Sequence, residues 1–356
     1  MKISEIDFVT HWTPGSMFLP PLKVVTIQPF GGRGVGEALL ELELPKEKKT
    51  FRFIVEIKSS STPLTVRTAI SMVLDCVSQT ALRNNDIRYP MIAVPYLGPA
   101  NLAELEEREV SGIDLCGNGI VIIPERLLII RSGHENQYRE SRSLVNPYSG
   151  KSALVGRMLL EKPEWESLNV LVESINAGGG EISVPQVSKA LDALCEELIV
   201  FKKQRAIKLV ERIRLLDNLS KNYKKTKPDS RLALRLEPKT EWPQRLKKAG
   251  VRWTVSGESS AKRYSSLVES GPLRIYVSDM KKALDCLGGR EEPVRNFADL
   301  DLCQTGDPCV FFDSKPDDSG MVWSSVLQTY LELMDGDARQ RDAALLLREQ
   351  LSRVCK

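Results

Sequence analysis

The stretch GEALLELELPKEKKTFRFIVEIKSS, Gly36 to Ser60, decides how the first part of the chain is read. Glu37–Leu44 and Phe51–Ile57 are rich in Leu, Ile, Val and Phe, and the polar PKEKK between them is a turn. The segment therefore reads as a strand, a turn and a return strand. Before it, Val24–Pro29 is a further strand, set off by GGRGVG. After it, Thr65–Leu82 places Val66, Ala69, Ile70, Val73, Leu74 and Val77 at helical spacing. Met91–Tyr96 reads as a buried strand, Ala100–Glu109 as a helix, and Gly119–Ile123 and Leu127–Ile130 as strands. The order β-β-β-α-β-α-β-β predicts an α/β unit ending near Ser132, with a mixed sheet whose crossover helices imply parallel pairs.

The whole chain has 356 residues, 42% of them hydrophobic and 27% charged. That length suggests two or three domains, each able to bury a core, and excludes a wholly disordered chain. Charges interrupt every apolar run well short of the roughly 18 residues a membrane span needs. The start, MKISEIDFVTHW, has no apolar secretory core, so a cytoplasmic protein without membrane contact is expected. The seven cysteines are scattered and odd in number, no CxxC pair occurs, and His11 and His134 lie far apart. A zinc cluster, a disulfide framework and a histidine-dependent nucleophile do not fit this pattern.

The net charge of +3 hides an asymmetry. Lys202–Lys248 carries sixteen Lys or Arg against five Asp or Glu, whereas Asp299–Asp342 carries ten acids against three bases. A basic block points to a polyanion, or else is a solvated face. Lys151–Leu160 and Glu164–Asn176 read as helices, and Gly178-Gly179-Gly180 ends the second. Ser183, Pro185 and Gln186 open a third as a capping box, and Val184, Val187, Leu191, Leu194 and Leu198 form its buried face. Leu198–Phe201 and Ala206–Leu209 then flank a basic tip, Lys202-Lys203-Gln204-Arg205. Three helices followed by a basic hairpin is the order of a winged helix, which sets its third helix in the major groove of double-stranded DNA and its wing on the backbone. Gln186 and Lys189 point away from the apolar face and are the base or phosphate contacts expected on that helix. Asp192 and Glu196 on the same side would repel phosphate. Lys202, Lys203 and Arg205, with Lys208, Arg212 and Arg214, are the expected backbone contacts. The alternative is a winged helix used for protein docking. Glu211–Tyr223 reads as a further helix. Beyond the linker Lys224–Ser230 lie short strands such as Leu273–Val277 and two closing helices, Val326–Met334 and Ala338–Val354.

Three constellations carry possible chemistry. In the first, Glu37 opens one strand and Glu56-Ile57-Lys58 closes the next. Glu56 and Lys58 are two apart on a strand and so share a face. Two carboxylates on neighbouring strands can hold a divalent cation while a lysine steadies water or a phosphate oxygen. This pattern resembles the core of the PD-(D/E)XK nuclease superfamily, with Glu37 for the usual Asp and Gly36 for the usual Pro. Glu41 or Glu43 is an alternative first acid. The resemblance implies Mg2+ held by Glu37 and Glu56. The second constellation is SGIDLCGNGIVI, in which Gly117 and Gly119 allow a tight path that brings Asp114 and Asn118 to one rim. There a carboxylate can act as a base or support a cationic sugar, and an amide can read a base edge; ordinary turn chemistry is the other reading.

SGIDLCGNGIVI also resembles the LDLAGN-type motif of the type IV toxin–antitoxin AbiEi-like family. YPMIAVPYLGP, NQYRESRSLVNPYSGKSALVGRMLL and SSVLQTYLELMDGDARQRDAALLLREQL agree with it in order. The resemblance runs from about Glu37 to Leu351. It implies a nuclease-like unit, a winged helix and a C-terminal domain, with DNA binding and a role in prokaryotic defence or toxin control. The third constellation, Ser256-Gly257-Glu258-Ser259-Ser260 before Leu273–Val277, loosely resembles the opening of a nucleotidyltransferase-like fold. That strand, Leu-Arg-Ile-Tyr-Val, has no acid pair for metal, so a noncatalytic α+β domain is expected. The acidic stretch Asp299–Asp318 reads as a solvated loop or as a surface for a basic partner.

Together these readings divide the chain into a restriction-endonuclease-like α/β domain (1–142), a winged helix (143–225) and a C-terminal α+β domain (226–356). The leading expectation is a defence protein that processes phage DNA. It would do so by Mg2+-dependent phosphodiester cleavage through Glu37, Glu56 and Lys58, or by metal-free base excision through Asp114 and Asn118. The rival is an AbiEi-type antitoxin that represses its own operon, has a cognate toxin, and carries an inactive nuclease-like domain.

Overall fold

The computed structural model describes residues 8, 12–29, 38–81, 87–138, 145–236, 241–265, 271–288, 290–291 and 297–353. The chain forms two compact units, residues 1–144 and 145–356. Glu37, first of the expected metal ligands, lies outside the described residues.

The first unit is a seven-stranded mixed sheet with its strands in chain order. Its elements are β1 (Lys23–Pro29), β2 (Ala38–Leu44), β3 (Lys49–Ile57), α1 (Pro63–Ala81), β4 (Arg88–Val94), α2 (Pro99–Glu107), β5 (Ser111–Asp114), β6 (Gly119–Ile123) and β7 (Leu127–Arg131). β3, β4 and β5 run parallel, and the other neighbours are antiparallel. The two crossover helices lie on one face, where Val66, Ala69, Ile70 and Val73 of α1 and Leu102 and Leu105 of α2 cover Leu39, Ile54, Ile92 and Val94. On the other face Phe8, Trp12, Leu19 and Leu22 cover Leu40, Phe53, Val55, Ile57 and Met91. Burial on both faces is why FIVEI reads as a nearly continuous apolar run rather than an alternation.

One strand of this sheet was not expected. β5 carries only one large apolar residue, Ile113, and Gly112 takes its second inward position. A Cβ at Gly112 would lie 2.4 Å from the Leu105 side chain, so the glycine gives α2 its approach. Ser111 is buried and its hydroxyl accepts from the Ile122 N–H at 3.0 Å. The strand is built from small and polar residues whose partners are remote in sequence, so it lacks an apolar signature.

The second unit opens with a 3-10 turn, Gly150–Ser152, running into α3 (Ala153–Glu161). There follow β8 (Glu164–Trp165), α4 (Leu168–Ala177), α5 (Val184–Glu196), β9 (Val200–Lys203), β10 (Ala206–Leu209) and α6 (Arg212–Asn222). β8, β10 and β9 form a small antiparallel sheet in that order. Glu164–Trp165, expected at the start of a helix, is instead the third strand: Trp165 pairs with Ile207, and α4 begins only after Ser167, whose hydroxyl accepts from the Val170 N–H.

The remainder contains β11 (Ser230–Arg235), α7 (Trp242–Lys248), β12 (Trp253–Val255), α8 (Gly257–Tyr264), β13 (Leu273–Val277), α9 (Met280–Leu287) and β14 (Arg290–Glu291). It ends with β15 (Leu300–Gln304), α10 (Pro308–Phe311), β16 (Lys315–Pro316), β17 (Val322–Trp323), α11 (Val326–Met334) and α12 (Ala338–Arg353). Its seven strands form a mixed sheet ordered β14-β11-β15-β13-β12-β17-β16. One apolar cluster joins Leu154, Leu191, Leu215 and Leu219 to Tyr330, Leu331 and Leu347, so the core runs through the position 225/226 expected as a boundary. The acidic stretch Asp299–Asp318 is a solvated loop only at its end, where Asp317–Gly320 form an exposed turn. Asp301 is 1% exposed on β15 and is held by Arg231 and Arg274, Asp299 accepts from the Leu236 N–H, and Asp307 caps α10.

Candidate functional site

Glu56 and Asp114 stand at the carboxyl ends of the parallel strands of the first unit. In open α/β sheets this edge is the usual ligand position. Glu56 is the penultimate residue of β3 and Asp114 the last of β5. Both lie on the face covered by α1 and α2, as the alternation along each strand requires. One strand, β4, separates them, and Glu56 is level with Ile92 while Asp114 is level with Val94, which puts their backbones about 12 Å apart. The sequence reading located both pairs but gave no sign that they are neighbours.

Glu56 is 2% exposed, and one of its carboxylate oxygens accepts from Lys58 Nζ at 2.6 Å. Lys58 is itself anchored where its backbone N–H meets Ala93 O at 2.9 Å. Glu41 does not join this pair: Arg52 binds it at 2.7 Å, four residues earlier on β3 or about 13 Å along the strand. Glu43 lies further still, opposite Thr50.

The Asp114 carboxylate accepts four hydrogen bonds. Oδ1 takes the N–H of Cys116 at 2.8 Å and of Asn118 at 2.7 Å; Oδ2 takes the N–H of Leu97 at 2.9 Å and Asn118 Nδ2 at 2.7 Å. Asn118 in turn accepts from the His134 N–H at 2.9 Å and donates to His134 O at 3.2 Å. Gly117, at φ 98°, supplies the left-handed turn between them. The two groups thus close the β5–β6 turn and tie it to the segments after β4 and β7. Burial raises the pKa of the neighbouring Cys116 thiol, with the Gln137 backbone hydrogen bond opposing, which disfavours a thiolate there.

In the second unit the expected basic surface is divided. Lys203 and Arg205 stand exposed at the tip of the β9–β10 hairpin, whose tight turn places Gln204 at φ 56°. Phe201, 57% exposed, precedes them. Lys202 reaches back to Asp192 on α5 at 2.8 Å, an ion pair that fastens the hairpin to the helix and spends part of that lysine's charge. Lys189, one turn earlier on α5, is exposed. Gln186 is exposed as well, but its Oε1 accepts from the Ser183 N–H at 3.0 Å in the expected capping box. Two of the flanking cations turn elsewhere: Lys208 pairs with Glu164, and Arg212 donates to the carbonyls of Leu160 and Leu351. Arg212 therefore satisfies two helix ends.

The Ser256–Ser260 segment has a feature that its sequence did not disclose. Ser256 caps α8, and the carboxylate of Glu332, from α11, accepts the Glu258 N–H at 3.1 Å at the start of that helix. The position where a helix N-terminus would cradle a phosphate is filled by the chain's own carboxylate. A Cβ at Gly257 would come within 2.8 Å of Glu332 and 2.9 Å of the α11 backbone, which is why glycine stands there. On β13, where metal-binding acids would be needed, Arg274 pairs with Glu258 and Asp301. Burial opposes ionisation of Glu258, but Arg274, Lys225 and Gln340 outweigh it and hold its carboxyl below the usual range.

Among the described residues no three His, Cys, Asp or Glu side chains converge as a metal site, and no helix is long and apolar enough to cross a membrane. Residues 208–352 match the family model AbiEi_2, described as "Transcriptional regulator, AbiEi antitoxin, Type IV TA system". No curated protein and no solved structure matches the chain. The resemblance read from the sequence is therefore shown for residues 208–352, which carry the AbiEi_2 pattern from β10 to α12, while the sheet of residues 1–144 lies outside the match.

Proposed function

We propose that the protein is a DNA-binding transcriptional regulator of the antitoxin type. In this reading residues 145–225 act as a winged helix, and the sheet of the first unit is a nuclease-like fold used without catalysis. The observation that carries the proposal is the match of residues 208–352 to a transcriptional-regulator antitoxin family, adjoining a helix and hairpin that expose Lys189, Lys203 and Arg205. The order α3-β8-α4-α5-β9-β10 supports the winged-helix assignment, because α5 and the β9–β10 wing then occupy the positions that meet a major groove and the flanking backbone. The Lys202–Asp192 pair gives this arrangement a fixed angle between helix and wing. The family description names a toxin–antitoxin system, so a cognate toxin is the expected protein partner.

A second reading, in which the first unit processes DNA, rests on Glu56 and Lys58 at the carboxyl edge of the parallel strands. Its metal-dependent form asks Glu37 and Glu56 to share Mg2+. Of these two, Glu56 alone has a described position, and the described residues by themselves do not make up a metal site. Its base-excision form asks Asp114 to act on a sugar, yet both Asp114 oxygens already serve the turn.

The test is a reporter driven by the DNA upstream of the protein's own gene. Expression of the protein should repress it, and repression should survive Glu56→Gln and fail in Lys203→Ala/Arg205→Ala. Repression that needs Glu56, or nicks and abasic sites in plasmid DNA incubated with the pure protein, would favour the second reading.

A further inference from the structure

A cavity of about 410 Å3 lies in the second unit, bounded by the start of α3, the end of α6 and the segments around α10 and α11. Arg157 of α3 is part of its wall and is 5% exposed. Its Nη1 donates to Cys309 O at 3.0 Å and to Gln328 Oε1 at 2.7 Å, but its Nε is buried without any hydrogen-bond partner. Among the described residues no carboxylate pairs with this guanidinium directly. Glu332 is reached only through Gln328, whose Nε2 donates to it at 2.8 Å. Arg cannot shed its proton to escape burial, and buried guanidinium groups are otherwise found paired.

The remaining charges of the cavity have the same sign as Arg157, with one exception. Lys221 and Lys224 line it and are exposed at its mouth. The exception, Asp307, is engaged: Oδ1 accepts from the Cys309 N–H at 2.9 Å and Oδ2 from the Thr226 hydroxyl at 3.2 Å. The Gly150–Ser152 turn and α3 also present their N-terminal end here, and neither Ser149 nor Ser152 caps it with its side chain. A helix N-terminus, the buried Arg157 guanidinium and two exposed lysines line this one cavity, and these are the groups that bind phosphate. Gly150, at φ 54°, has nothing within 4 Å of where a Cβ would stand, so the approach to that N-terminus is open. The volume exceeds that of phosphate alone and lies within the range of small-molecule sites.

We infer that this cavity binds a phosphate group, with Arg157 as its buried anchor and Lys221 and Lys224 as its rim. The group is carried by inorganic phosphate or by a small phosphorylated molecule. The site shares no residue with the proposed DNA surface of α5 and the β9–β10 hairpin.

The experiment is thermal unfolding and calorimetric titration of the full-length protein with inorganic phosphate, with adenosine monophosphate, and with sodium chloride at matched ionic strength. Phosphate or the nucleotide should raise Tm saturably, and chloride should not. Lys221→Ala/Lys224→Ala should weaken the apparent affinity at least tenfold, and Arg157→Gln should abolish it; where Arg157→Gln does not fold, the double lysine variant decides. Tighter binding of the nucleotide would identify a phosphorylated metabolite as the ligand, and tighter binding of phosphate the free anion. No saturable rise with either ligand, or an equal rise in the double lysine variant, would overturn the assignment.

Discussion

Asp114 and Asn118 show how much of a residue's role lies in partners that its neighbourhood in sequence does not contain. Their spacing and the adjoining glycines mark a turn, and that much is legible. The Leu97 N–H and the backbone of His134 come from other segments of the chain, and they convert the turn into a clasp. Asp114→Ala would leave the N–H groups of Leu97, Cys116 and Asn118 without their acceptor in a buried site. A loss of about 3–5 kcal/mol is expected, read as a lower urea midpoint for the first unit. A change below about 0.5 kcal/mol would mean the carboxylate is not structural. Glu332 offers a second residue-scale outcome. Burial raises its pKa, against the hydrogen bonds from Gln328 and from the start of α8. A carboxyl whose folded pKa lies above its unfolded value contributes most below the unfolded pKa, and that contribution is lost as pH rises through the folded value. Glu332→Gln removes this loss. The Tm of the variant minus that of the wild type should therefore become more positive from about pH 5 to about pH 8, whatever its sign at either end. A difference that falls with pH would contradict the assignment. Glu258, whose pKa is lowered, contributes with the opposite sign and is common to both proteins.

At the scale of elements, the sequence was most informative where a segment carries its own signal. The α5 capping box and the paired apolar strands β2 and β3 form where periodicity and turn chemistry put them, whereas β9 runs two residues later than expected, taking in Lys202 and Lys203 and leaving Gln204-Arg205 as the turn. β5 and β8 were missed because each is short and depends on a partner strand: Gly112 and Ser111 carry no apolar signal, and Glu164-Trp165 pairs with β10 some forty residues later. Ion pairing was equally illegible. The basic block reads as one uniform cation patch, yet Lys202, Lys208 and Arg212 are drawn to Asp192, Glu164 and two helix ends. This redistributes the expected DNA contacts. In DNA-binding titrations, Lys203→Ala/Arg205→Ala should flatten the log–log salt slope by about two, one for each lost phosphate contact. Asp192→Asn, which releases Lys202, should steepen it by up to about one. An unchanged slope in the first variant would remove the hairpin tip from the interface.

At the scale of the molecule, two compact units carry different kinds of information. In the second, residues 208–352 match the AbiEi_2 model, and the helices before and after residue 225 share one core there. The first has a mixed sheet with both candidate pairs on its carboxyl edge, a geometry that follows from parallel β3, β4 and β5. Its acid-x-Lys spacing was legible; the burial of Glu56 and the full engagement of Asp114 were not, because both depend on packing across the sheet. The proposed regulator reads DNA through α5 and the β9–β10 hairpin. Its most direct test is a titration of labelled duplex from upstream of the protein's own gene against a scrambled duplex of equal length, in EDTA at physiological salt. The upstream duplex should bind at least about a hundredfold more tightly, remain intact, and lose most of that affinity in Lys203→Ala/Arg205→Ala. Equal binding of the two duplexes, or unaltered binding by the variant, would contradict the proposal.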